Sequence, residues 1–204
     1  MSVATEPHAT GAGAGFGPGA LATPANAITI ARILVTPVLL AVILGGGASW
    51  PAFAFWIVLS GTDWVDGRLA RRQGTTRSGA FLDPLADKCL ILGAMFALVV
   101  EGLFWWLPVT LIAVREVAVS LYRTWMGKRG ISIPARWWAK VKTVVQQVAV
   151  AFVLLPLTAP HPSIAVAGLW AGVALTLFTG GQYLLDARRV MAAAGGADGS
   201  AHAV

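Results

Sequence analysis

Apolar residues fall along the chain in six long runs, at residues 26–46, 50–71, 80–101, 104–127, 137–158 and 162–186. Glycine, proline and polar residues gather in the breaks between them: GGGAS, QGTTRS, EGLF, GKRGISIPAR and TAPHPS. Breaks of this composition punctuate helices. Each run approaches the roughly 20 residues that a helix needs to cross the hydrocarbon of a bilayer. The pattern predicts an all-α integral membrane protein, a bundle of six transmembrane helices. Residues 1–23 and 187–204 are rich in Ala, Gly and small polar residues with no usable hydrophobic period. They are expected to be disordered tails around a folded domain at 24–186. The first 25 residues hold no Lys or Arg and no apolar core, so they do not look like a signal peptide.

The basic positions add an orientation. Arg71, Arg72 and Arg77 surround the second break, and Arg123, Lys128, Arg129, Arg136, Lys140 and Lys142 surround the fourth. Arg188 and Arg189 follow the sixth run, whereas the first, third and fifth breaks hold no Lys or Arg. Under the positive-inside rule this alternation predicts that both termini are cytoplasmic. Trp50, Trp105 and Trp106 flank the opposite face, as interfacial aromatic residues do.

Composition agrees with a bilayer. Hydrophobic residues make up 57% of the 204, charged residues 12%, and mean hydropathy is +0.73. A soluble domain carries about 25% charged residues, so a soluble enzyme, a disordered chain and a conventional nucleic-acid-binding domain are all excluded. The net charge of +6 therefore encodes topology rather than a nucleic-acid partner. The single cysteine, Cys89, rules out an internal disulfide and a cysteine metal cluster, and is expected as a small buried hydrophobe. His8, His161 and His202 fall in tails or an outer loop, away from any acid–base role.

Against this scarcity of charge, four of the nine acidic residues lie within 25 positions: Asp63, Asp66, Asp83 and Asp87. Asp63 and Asp66 share a helical face, which Gly67, Ala70 and Arg71 continue; Asp83 and Asp87, four apart, share a face of the next helix. A short turn would make these helices antiparallel neighbours, so that the carboxylates converge near the cytoplasmic end. Bare, the four would repel one another. Hard divalent cations such as Mg2+ or Mn2+ resolve the repulsion, and two of them form a clamp for displacement at phosphorus. Gly67 and Ala70 keep that face low for a ligand, Arg71 offers a fork suited to phosphate, and Thr75 and Thr76 offer hydroxyls. Singly, each acid has a structural reading: Asp83 before Pro84 fits a helix N-cap, Asp87 an interfacial charge, and Asp63 an ion pair with Arg115. All four together at this spacing argue for a site.

The segment resembles the signature of the CDP-alcohol phosphotransferase (phosphatidyltransferase) family, filled here by Asp63, Asp66-Gly67, Ala70-Arg71, Gly79, Asp83 and Asp87. Seven residues separate Arg71 from Gly79, at the short end for that family. The resemblance covers nearly the whole apolar region. Asn26, Thr29 and Arg32 in PANAITIAR are similar to the start of its first helix. The runs LDPLADK, REVAVSLYRTWMGKRG and WWAKVKTVVQ are most similar to the bacterial branch that makes phosphatidylglycerol phosphate.

The resemblance implies a multi-pass plasma-membrane enzyme whose active site is at the cytoplasmic face. It would transfer the phosphatidyl group of CDP-diacylglycerol to sn-glycerol 3-phosphate and release CMP. It implies two divalent metal ions held by Asp63, Asp66, Asp83 and Asp87, with Asp87 also the general base. Asn26, Thr29, Gly67, Ala70, Arg71 and Thr76 would contact the CDP lipid. A homodimer is expected from the family. The acceptor's phosphate needs a cationic pocket, for which Arg115, inside an apolar run, comes first. Arg123, Lys140 and Lys142 are further candidates, although Lys140 and Lys142, two apart, cannot both face one point on a helix. Glu116 is placed to orient one of these cations. Alternatives are a relative using phosphatidylglycerol or inositol phosphate as acceptor, and a divalent-cation transporter.

Overall fold

The computed structural model describes residues 24–73, 77–128 and 137–201. They form α1 (Pro24–Gly46), α2 (Trp50–Gln73), α3 (Arg77–Val100), α4 (Trp106–Lys128), α5 (Trp137–Leu154) and α6 (Pro162–Ala201), with a 3-10 turn at Pro156–Thr158. Among the described residues there is no strand. The six apolar runs thus become six helices. α1 and α3 end in tight turns at Gly47 (φ +56°) and Gly102 (φ +71°), a left-handed conformation that glycine adopts without steric cost.

Three boundaries differ from the sequence reading. α3 begins at Arg77, so Asp83 and Pro84 lie inside it and Asp83 is not an N-cap. α5 ends at Leu154 because Pro156 disfavours helical backbone at Leu155 and lacks an N–H of its own. α6 runs past the apolar stretch to Ala201, through a segment read from composition as a tail; alanine, its commonest residue, is the strongest helix former.

Cross-helix pairs give the helix directions. Thr29 meets Asp83 and Leu40 lies against Gly93, so α1 and α3 run parallel. Trp105, Arg115 and Tyr122 meet Trp170, Thr179 and Tyr183 in turn, so α4 and α6 run parallel. Gln146 bonds Thr176 while Ala149 faces Gly168, so α5 runs against α6. Among the described residues, α2 and α3 each make their larger contacts with α1 rather than with each other. α1 thus packs against both aspartate-bearing helices, while the turns through which α2 and α3 are expected to pair lie outside the residues whose side chains are described.

The core is apolar toward one end and polar toward the other. Leu39, Ile43, Trp56, Leu90, Met95, Leu98, Ile112 and Leu169 are buried at or near the first end. Asn26, Thr29, Arg32, Thr36, Lys142, Gln146, Thr176 and Thr179 are buried toward the second, where the chain passes from α2 to α3 and from α4 to α5. On α1 the buried positions 26, 29, 32, 36, 39 and 43 form one helical stripe that changes from polar to apolar along its length. Gly93 and Ala94 do serve close packing, as expected, whereas Cys89 is exposed rather than buried. It projects from α3 away from the buried line of Ala86 and Leu90.

Large apolar side chains are also exposed along the bundle. Leu34, Val58, Val100, Val114 and Leu121 are more than 60% exposed. An apolar exterior of that extent is unfavourable in water and suits lipid. Among the described residues, two helices are long and apolar enough to cross a membrane by length and composition, at Asn26–Gly46 and Pro162–Asp186.

Candidate active site

The polar end of the bundle holds two adjoining clusters. The first is built on α1 and α3. The Thr29 hydroxyl, fully buried, donates to Oδ1 of Asp83 at 2.7 Å. One turn along α1, buried Arg32 directs Nε toward the Thr62 hydroxyl on α2 at 3.4 Å, next to Asp63 in sequence. Asn26 completes this polar stripe one turn in the other direction. Asp87 follows Asp83 by one turn on α3, and both are half-buried. α1 thus contacts both aspartate-bearing helices through the face that the spacing of Asn26, Thr29 and Arg32 marks in the sequence.

Asp63, Asp66, Gly67, Ala70 and Arg71 lie on the last turns of α2, but their side chains are outside the described residues, as is Thr76 altogether. Asp83 and Asp87 supply hard oxygen donors one turn apart, with Thr29 restraining the first. That donor set fits a hard divalent cation.

The second cluster joins α4, α5 and α6. Oε1 of Glu116 receives Arg115 Nη1 at 3.0 Å and also receives Nζ of Lys142. Arg115 Nη2 donates to the Thr179 hydroxyl at 2.8 Å. Its stem lies over Gly180, where an added Cβ would stand 3.0 Å from Nε. Below it, the buried Gln146 Nε2 donates to Thr176 at 2.8 Å, and a Cβ on Gly172 would meet Gln146 and Ile112. α3, which carries Asp83 and Asp87, also packs against α5, which carries Lys142, so the helices of the two clusters adjoin.

Among the four cations proposed from sequence, the structure brings Arg115 and Lys142 together on one carboxylate. Arg123 and Lys140 are exposed and stand outside that cluster. Thr62, Gln146, Thr176, Thr179 and Gly180 were not singled out from sequence. Only Thr176 and Thr179, three apart on one face of an apolar helix, left a readable trace there.

Residues 22–178 match the family described as CDP-alcohol phosphatidyltransferase. A probable phosphatidylglycerophosphate synthase from Mycobacterium tuberculosis is 42% identical over 179 residues, covering 83% of each chain. The CDP-diacylglycerol–glycerol-3-phosphate 3-phosphatidyltransferase of Escherichia coli is 38% identical over 173 residues, 79% of this chain and 92% of the relative. An enzyme of the same name from Shigella flexneri is 38% identical over 170 residues.

Proposed function

The chain belongs to the CDP-alcohol phosphatidyltransferase family, and from that premise we propose that it transfers the phosphatidyl group of CDP-diacylglycerol to sn-glycerol 3-phosphate. CMP is released and phosphatidylglycerol phosphate forms, in the biosynthesis of phosphatidylglycerol and cardiolipin. The observation that carries this reading is 38–42% identity, over most of the chain, to relatives named for that reaction. The paired cations Arg115 and Lys142 support a phosphorylated acceptor.

The bundle spans the plasma membrane six times, with both termini and the polar end at the cytoplasmic face. The apolar exterior and the alternation of basic breaks support this placement. There the lipid substrate presents its CDP headgroup while its acyl chains stay in the bilayer. Asn26 and Thr29 on α1, with Gly67, Ala70, Arg71 and Thr76, contact the CDP moiety.

Asp63, Asp66, Asp83 and Asp87 would hold two divalent ions, Mg2+ or Mn2+, which when bound neutralise the pyrophosphate and act as Lewis acids. The Asp87 carboxylate takes the proton of the acceptor's primary hydroxyl as that oxygen attacks the phosphorus bearing the lipid. The new P–O bond replaces the bond to the bridging oxygen, whose electron pair leaves with CMP. Thr29 keeps the Asp83 carboxylate in one orientation. Arg115 and Lys142 hold the acceptor's phosphate, with Arg123 and Lys140 at the cytoplasmic rim. A homodimer completes the reading.

The test is CMP release by the purified protein in detergent with CDP-diacylglycerol and Mn2+. Glycerol 3-phosphate, phosphatidylglycerol and inositol phosphate are offered in turn. Release with glycerol 3-phosphate alone is expected; release only with another acceptor would move the assignment within the family. Metal flux without any CMP chemistry would instead identify a transporter.

A further inference from the structure

We propose that Glu116 is a positioning residue that holds Arg115 and Lys142 as one preformed cradle for the acceptor's phosphate before the acceptor arrives. The inference rests on the acceptor reading given above and adds a carboxylate to it. An acid next to a phosphate site is unexpected, because it repels the ligand. Its geometry gives the reason for its presence.

Arg115 and Lys142 come from different helices, α4 and α5, and both meet the same oxygen, Oε1 of Glu116. The Lys142 side chain is 7% exposed and those of Arg115 and Glu116 are 13% exposed, so water screens them little. Two cations in such a place repel and separate unless an anion lies between them. Glu116 is that anion while the site is empty, and it leaves a surplus of one positive charge for the phosphate. On its far side the Arg115 guanidinium is set by Thr179 and by the absence of a side chain at Gly180. Two helices, α4 and α6, therefore fix the direction of one fork, and α5 brings Lys142 to the same carboxylate; a preorganised fork loses less freedom on binding phosphate than a mobile one.

Two variants approach the cradle from opposite sides. Glu116→Gln removes the anchor's charge at nearly constant shape. Gly180→Ala leaves every charge in place and presses a methyl group against Arg115. Steady-state CMP release is measured against each substrate separately, with thermal unfolding in detergent as the control for folding. Both variants are expected to raise KM for glycerol 3-phosphate, at least tenfold for Glu116→Gln and severalfold for Gly180→Ala. KM for CDP-diacylglycerol should stay unchanged and kcat should fall less than threefold. Glu116→Asp, which keeps the charge, should recover part of the loss.

An unchanged or lower KM for glycerol 3-phosphate in Glu116→Gln would mean that the carboxylate only offsets positive charge, and would overturn the proposal. So would equal losses toward both substrates in Gly180→Ala, the pattern of a packing defect. Failure of the acceptor reading shows elsewhere, as no CMP release by the unaltered protein with glycerol 3-phosphate, and it takes this inference with it.

Discussion

The fully buried hydroxyl of Thr29 on α1 donates to the half-buried carboxylate of Asp83 on α3 across 2.7 Å. α1 packs against both aspartate-bearing helices, so this bond ties it to one of the metal-ligand candidates. Thr29→Val keeps the volume and deletes the donor. A hydrogen bond to a charged group contributes about 1.5–3 kcal/mol. The variant is expected to need about tenfold more Mn2+ for half-maximal CMP release, a tenfold change being about 1.4 kcal/mol. A metal titration with an unchanged midpoint would remove Thr29 from the site.

Asp87 carries the proposed proton transfer, a step worth about 10²–10⁴-fold. Asp87→Asn is expected to lower kcat by at least that factor while the thermal unfolding midpoint in detergent stays close to that of the parent. Activity surviving within tenfold would assign the base elsewhere.

Removal of divalent ions gives a separate check on the four aspartates. Dialysis against a chelator is expected to abolish CMP release, and either Mg2+ or Mn2+ should restore it. Retained turnover in the chelated protein would exclude the metal clamp.

The four cations divide by burial. Lys142→Met keeps the stem and removes the charge, and is expected to raise KM for glycerol 3-phosphate at least tenfold. Arg123→Ala and Lys140→Ala, at exposed positions, should change it less than threefold, since screened charges contribute little. A larger effect at either exposed position would relocate the phosphate site toward the rim.

Gly168 lets α5 and α6 touch: a Cβ there would stand 3.2 Å from the Ala149 Cβ and 3.5 Å from its Cα. The obstacle includes backbone, which cannot swing aside. Gly168→Val is expected to cost about 1–3 kcal/mol through overpacking, read as a lower unfolding midpoint. The affinity for glycerol 3-phosphate should fall only if α6 carries Thr179 away from Arg115.

The helices were legible because a bilayer imposes a simple code: long apolar runs, polar breaks and basic residues on alternate breaks. The α1 stripe was legible too, since Asn26, Thr29 and Arg32 recur at helical spacing in an otherwise apolar segment. Which helices touch was not. The contacts of α1 with both α2 and α3, and of α6 with both α4 and α5, join segments far apart in the chain. Chain connection limits how far apart two helices can sit, while side-chain shape decides which faces meet. The burial of Cys89 was misread for the same reason, because its face is set by neighbours and not by its own polarity.

Local order along the chain determined the six helices, the gathering of Asp63, Asp66, Asp83 and Asp87 in one stretch, and the family signature, since each depends on spacing within one or two elements. Tertiary structure alone decided that Arg115 and Lys142 share Glu116 while Arg123 and Lys140 stay at the surface. Those residues divide between α4 and α5, and sequence spacing says nothing about how two helices are rotated toward each other. Packing sets that angle, and here small residues at Gly172 and Gly180 let α6 approach closely enough to complete the cradle.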